Sequence, residues 1–327
     1  MSDTTVTSGP ESASGDDAGE ETSGGSIRTV VIAFVANLLV AVAKTIAAFV
    51  TGSASMVAES AHSWADAGNE IFLLIAERRS VKKIDGSHPR GYGREAYVWS
   101  LFAAVGLFTA GAVVSIQHGI QELVAPEPAD NFGIAYIVLA GAFVLEGVSF
   151  VQAFRQTRAT ARRRGRSVLG QVLGGSNPTV RAVFFEDAAA LAGLVIAFAG
   201  VLAHQLTGSP VFDAIGSIAV GLLLGVVAIV LIGRNRAFLL GQAIDDETHA
   251  TVLARLKAHP DIDRVTYLHL EFVGPERLFL VAAIDLVGNA REDDVALTLR
   301  RIERQLEQEE HLVEVVMTLS AADEAAL

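Results

Sequence analysis

The sequence predicts a polytopic α-helical membrane protein: six transmembrane helices, then a small cytoplasmic α+β domain of order α-β-β-α-β. Three observations carry that prediction. Of the 327 residues 51% are hydrophobic and 19% charged, and the mean hydropathy is +0.43, too apolar for an ordinary soluble chain of this length. Six apolar runs follow a polar start, each near the ~20 residues that cross a hydrocarbon core of ~30 Å. Beyond them, residues 239–322 change to the mixed patterns of a soluble domain.

Residues 1–25 (MSDTTVTSGPESASGDDAGEETSGG) hold almost no large apolar side chains, so they cannot bury enough surface to fold and are expected to form a disordered acidic tail. They also lack the basic start and adjoining apolar core of a secretory signal, which leaves the first apolar run in place as a membrane helix. The six runs cover roughly 28–50, 55–77, 97–123, 132–154, 180–206 and 211–233, within a transmembrane domain at 26–238. The second, fourth and fifth carry intramembrane acids, which lower their hydropathy.

Orientation follows from the basic residues. Arg78, Arg79, Lys82, Lys83, Arg90 and Arg94 lie between the second and third runs, and Arg155, Arg158, Arg162, Arg163, Arg164 and Arg166 between the fourth and fifth. The segments 51–54, 124–131 and 207–210 contain no Lys or Arg. Basic loops stay on the cytoplasmic side, so a multi-pass protein of the cell membrane with both termini in the cytoplasm is expected.

In the C-terminal domain DDETHATVLARLKAH reads as a helix opened by an acidic cap, and RVTYLHLEFV and RLFLVAAIDLV as strands joined around Gly274 and Pro275. REDDVALTLRRIERQLEQE reads as an amphipathic helix and HLVEVVMTL as a closing strand. That order suggests a split βαβ arrangement.

With no cysteine in the chain, disulfides, thiolate metal sites and Cys nucleophiles are excluded, and any bound metal must be held by imidazole, carboxylate, amide or water. The second run carries AESAHSWADAGNE, in which Glu59, His62, Asp66, Asn69 and Glu70 are spaced to form one helical stripe. A charge exposed to lipid costs several kcal/mol, so this face must turn inward. His62 and Asp66 are one turn apart, about 6 Å in rise, close enough to converge on one divalent cation or to hydrogen-bond as scaffold.

The opposite half of a site is expected from the fifth run. Glu186 and Asp187 are neighbours about 100° apart round that helix, so only one can face the stripe squarely. Ala189, Ala190 and Gly193 are small enough to let the two helices approach closely. Asn37 lies on the first run; Lys44 and Glu146 are assigned to neutralising charge within the bundle, and Asp213 to capping the sixth helix.

Taken together, TGSASMVAESAHSWADAGNE, HPRGYGREAYVW, LEGVSF, the six-span pattern and the α-β-β-α-β order make the chain, from about Ser26 to Thr318, resemble a cation diffusion facilitator. That is a family of proton-coupled zinc and manganese efflux transporters. The resemblance implies that His62 and Asp66 are metal ligands. Where the family's fifth helix has a His-x-x-x-Asp pair, this sequence has Glu186 and Ala190, similar to a branch with an ED pair there. Asp187, Asn37 or water then complete the ligand set. Exchanging imidazole for carboxylate admits manganese, iron or cobalt beside zinc.

Asp85 and His88 match an accessory metal loop of some relatives, but Tyr92 stands where the later His belongs. That loop is therefore read as a structural turn, with Asp85 and His88 as secondary candidates. The places where relatives bind metal in the cytoplasmic domain read GQAIDD and VMTLSA, without a suitable His.

The resemblance further implies metal/proton antiport out of the cytoplasm by alternating access, and a homodimer joined through the cytoplasmic domains. The expected partners are a divalent cation, protons, the lipid bilayer and a second copy, with no nucleic acid and no cofactor beyond the transported ion. An intramembrane metalloenzyme is disfavoured by the lack of an HExxH-like motif. A different class, a metal-sensing or regulatory membrane protein whose altered fifth helix no longer supports turnover, rests on Ala190 alone.

Overall fold

The computed structural model describes residues 20–82, 84–126, 129–309 and 311–327, with side chains from residue 34 onward. Six long helices come first: α1 (Glu20–Thr51), α2 (Ala54–Ser80), α3 (Glu95–Val124), α4 (Phe132–Arg163), α5 (Pro178–Thr207) and α6 (Val211–Leu239). A short helix, Val168–Gly174, lies between α4 and α5. Within α3 the backbone widens to a π-turn at Ala104–Phe108, which the sequence did not announce.

Local chemistry sets the ends of these helices. The Ser53 hydroxyl accepts from Met56 N at 3.2 Å and opens α2; Asn177 accepts from Thr179 N at 3.0 Å and opens α5 with Pro178 in its first turn. Gly208, at φ 69°, closes α5 in the left-handed conformation that glycine tolerates without strain. Asp213 does not cap its own helix as expected. It reaches across to α2, accepting from Ala54 N at 2.8 Å and Ser55 N at 3.2 Å, because the α2 N-terminus offers unpaired amides beside the first turn of α6.

One expectation needs correction at the N-terminal end, and the hydropathy pattern bears on the span count. Residues 1–19 of the expected disordered tail lie outside the described residues, but 20–25 are helical, continuous with α1. Among the described residues, α1 from Phe34 and helices α3 to α6 are long and apolar enough to cross a membrane, five of the six expected spans by length and composition. α2 falls short despite its 27 residues, because its polar stripe lowers its hydropathy. Yet α2 is enclosed, packing against α1, α3, α5 and α6. A helix striped with charge finds its place among other helices, where partners replace water.

The C-terminal unit begins with α7 (Asp246–Lys257) and continues through β1 (Ile262–Gly274), β2 (Arg277–Leu286), α8 (Glu292–Leu306) and β3 (Leu312–Leu319). Asp245 caps α7, accepting from Thr248 N at 3.0 Å, which is worth about 1 kcal/mol. β1 and β2 are antiparallel, with Leu270 opposite Leu280, and β2 and β3 are parallel, with Leu280 opposite Val315. The sheet order is β1-β2-β3, so the βαβ unit is contiguous and not split: the hairpin sets β1 on one side of β2, and the α8 crossover returns β3 to the other. Leu256, Val265, Leu280, Ile284 and Ile302 lie in its core.

This unit is attached to the helical bundle by charge and close backbone contact. Arg94 pairs with Glu271 and Arg166 with Asp245, while Arg90 lies 3.8 Å from Glu271 and over the Phe279 ring. A Cβ on Gly93 would meet the Val273 carbonyl oxygen at 2.5 Å, so only glycine permits that approach. Behind the contact, Arg181 is fully buried. It donates to Val172 O at 3.2 Å, Asn235 Oδ1 at 3.1 Å and Gly175 O at 2.5 Å, and its guanidinium lies over Phe238. One buried cation thereby fastens the start of α5 to the short helix and the end of α6.

Candidate metal centre

The α2 stripe is buried as the spacing requires: Glu59 is 0% exposed, His62 1%, Asp66 5% and Asn69 1%. Glu186 and Asp187 on α5 are each 7% exposed. Small residues let α5 close on α2. A Cβ on Gly193 would lie 2.5 Å from Glu59 Oε1, and one on Gly200 would lie 2.9 Å from Ser55 Oγ. Together with the Asn69 contact to Glu186, these approaches define an antiparallel register in which His62 and Asp66 lie opposite the turn 187–190 of α5.

His62 Nε2 and Asp66 Oδ2 stand 3.2 Å apart. Their angles do not make a hydrogen bond, however, and His62 Nε2, Asp66 Oδ1 and the neighbouring Ser63 Oγ have no hydrogen-bond partner. Buried polar atoms are normally satisfied, so these three, with Glu59 Oε1 and Glu70 Oε2 also open on the same helix, call for an explanation. A scaffold pair would have been satisfied; a lone pair kept open suits a transient ligand.

The other candidates have protein partners. Asn69 Nδ2 donates to Glu186 Oε2 at 2.5 Å, so Glu186 is held toward α2. Asp187 turns to α4 instead, accepting from Ser149 Oγ at 2.9 Å. Asn37 Nδ2 donates to Glu70 Oε1 at 2.8 Å, which ties α1 to the lower end of the stripe. Among the described residues no three His, Asp or Glu side chains are gathered tightly enough to hold one ion. The structure thus brings His62 to Asp66 and binds Glu186 to α2 through Asn69, but leaves Asp187 and Asn37 engaged elsewhere.

Two contacts escaped the sequence reading. Lys44 pairs with Glu59 at 2.9 Å with both side chains fully buried, so its counter-ion is on α2, one turn from His62. Asn69, placed by the sequence only on the α2 stripe, meets Glu186 across the helix interface. The signal was there in spacing: Asn69 is three residues from Asp66 and seven from His62, on the same face.

The loop after α2 behaves as a turn. Asp85 Oδ1 accepts from Ser87 N at 2.9 Å, Ser87 Oγ at 2.6 Å and His88 N at 3.0 Å, and Oδ2 from Tyr92 OH at 2.7 Å. The hydrogen bonds from Ser87 first, and from Tyr92 next, hold the Asp85 carboxyl below the usual range for an aspartate. His88 stacks on Tyr92, with ring centres 3.9 Å apart. Asp85 is thus engaged at both oxygens within the turn.

A bundle of apolar spanning helices around a buried, ionisable stripe, joined to a small α/β unit, defines a multi-pass membrane protein built to handle ions. Residues 30–240 match the cation efflux transmembrane domain, and the chain belongs to that family, the cation diffusion facilitators. Metal tolerance protein C4 of Arabidopsis thaliana is 39% identical over 80% of this chain and 58% of its own length. The mitochondrial proton-coupled zinc antiporter SLC30A9 of Xenopus laevis is 33% identical over 87% of this chain and 52% of its own. The chain thus spans a little over half the length of these two curated relatives. Magnetosome protein MamB of Paramagnetospirillum magneticum is 23% identical over 90% of this chain and 94% of its own.

Proposed function

We propose that this member of the cation efflux family is a divalent-metal/proton antiporter that exports zinc, or in its place manganese, iron or cobalt, from the cytoplasm. The observation that carries the reading is the buried His62–Asp66 pair with Nε2 and Oδ1 left open, facing an α5 on which Asn69 holds Glu186 toward α2. The names of the two more similar relatives, one a metal tolerance protein and one a proton-coupled zinc antiporter, agree with it. In this reading α2 crosses the membrane as a sixth span, both termini and the α/β unit are cytoplasmic, and the protein works in the cell membrane as a homodimer.

The ion enters from the cytoplasmic side and binds His62, Asp66 and Glu186. The fourth ligand is Asp187 if it releases Ser149, Asn37 if it releases Glu70, or water. Protons arriving from outside compete for the same lone pairs, so metal release is linked to proton uptake without a separate relay. The open arrangement of the three donors suits a carrier, which must let its cargo go. Movement of α5 against α2 would close or open the set.

Purified protein in liposomes carrying an imposed pH gradient tests the reading. Metal flux that follows the gradient and collapses with a protonophore is the expected result. Metal binding without flux would instead favour a sensing or regulatory protein, the second reading, for which Ala190 in place of a ligand is the specific observation.

A further inference from the structure

Along α4 the lipid-facing surface changes abruptly from apolar to basic. Val144, Val148 and Val151 are 64%, 66% and 46% exposed, and Gly147 between them leaves a shallow, open surface groove lined by α4 alone that ends at Arg155. At about 100° per residue, Arg155, Arg158 and Arg162 continue the same stripe within about 40° of its axis. All three, and Arg163 beside them, are exposed, and among the described residues none of the four forms an ion pair.

This lack of partners is selective. Arg164 and Arg166, just past the end of α4, face Glu276 and Asp245 of the α/β unit. The protein-facing side of the same α4 turns is closed by buried Thr157 and Ala161. The free arginines therefore point away from the molecule, beginning about 6 Å along the axis from Val151, where a span that starts at Phe132 has covered the ~30 Å of a hydrocarbon core.

From this continuity we propose that α4 carries a binding site for an anionic phospholipid, with an acyl chain in the groove beside Gly147 and the headgroup phosphate on Arg155, Arg158 and Arg162. A bidentate guanidinium suits phosphate, and each basic side chain near an anionic headgroup strengthens its binding roughly fivefold. The proposal is independent of metal transport and holds for whichever leaflet faces the α/β unit.

The chain has no cysteine, so one introduced cysteine gives a unique label. Val151→Cys carries a bimane, and the full-length protein is placed in phosphatidylcholine vesicles containing either phosphatidylglycerol or phosphatidylcholine with a doxyl quencher on the chain. Doxyl phosphatidylglycerol is expected to quench severalfold more strongly at equal mole fraction. The preference should vanish in Arg155→Gln/Arg158→Gln/Arg162→Gln and be absent at a control label on Leu222→Cys, a lipid-exposed position on α6. Filling the groove with Gly147→Leu, where a Cβ meets only Leu191 at 4.0 Å, should weaken quenching by both lipids. Equal quenching by the two lipids in the parent protein, or a preference that survives the triple replacement, overturns the proposal. A preference that appears only after residues 1–19 are deleted also overturns it, and assigns the arginines to the chain's own acidic segment.

Discussion

Asn69 on α2 donates its side-chain amide to Glu186 on α5 across 2.5 Å, in a region where both side chains are buried. One short polar contact thus sets how the carboxylate of α5 faces the His62–Asp66 pair. A carboxylate oxygen that accepts from a neutral amide retains lone-pair capacity for an ion. This makes Asn69 a positioning residue for the proposed site.

Replacing Asn69 with alanine frees Glu186 without removing a proposed ligand. Loss of an outer hydrogen bond to a metal ligand typically costs 10–100-fold in affinity or activity, and a loss near the lower bound, about tenfold, is expected here. Equilibrium zinc binding to the detergent-solubilised protein measures it. Unchanged affinity would mean that the amide only packs.

Glu186 and Asp187 are neighbours with different partners, so their replacements should separate. Glu186→Ala is expected to abolish metal uptake into proteoliposomes, whereas Asp187→Ala, which loses the Ser149 contact to α4, should retain a substantial fraction. Equal loss in both would make Asp187 a ligand as well.

The Lys44–Glu59 pair is fully buried, so removing one partner strands a charge. Lys44→Met is expected to cost about 3 kcal/mol of stability, while Lys44→Met/Glu59→Gln should recover most of it. Thermal unfolding in detergent compares them. If the single replacement unfolds at the parent temperature, the pair is not structural.

Asp245 links the α/β unit to Arg166. Burial pushes its carboxyl up, but the hydrogen bonds from Arg166 and Thr248 outweigh burial and hold it below the usual aspartate value. A depressed folded value means that the stabilisation is complete above the unfolded value of about 4 and is lost as pH falls through the folded one. The urea midpoint of the α/β unit should therefore fall below about pH 4, and Asp245→Asn should flatten that part of the profile. An identical acid profile in the variant would contradict this role.

Much of the architecture was legible because it depends on local pattern. Apolar run length located α1 and α3 to α6, and spacing alone placed His62, Asp66 and Asn69 on one face of α2. What was not legible depends on which distant groups meet. Asp213 caps α2 and not α6, since the amides it satisfies lie more than a hundred residues away in sequence. Glu59 takes Lys44 as its partner, and the split strand order gives way to a contiguous one, because long-range pairing leaves no periodic trace. The π-turn of α3 has no signature that residue spacing could reveal.

The central claim is that His62 and Asp66 form half of a transported-ion site. Zinc flux into proteoliposomes at a fixed pH gradient, compared between the parent chain and Asp66→Ala at matched protein content and fold, tests it most directly. Loss of flux to the level of protein-free vesicles in Asp66→Ala is the predicted result. Equal flux in the two proteins would contradict the proposed site altogether.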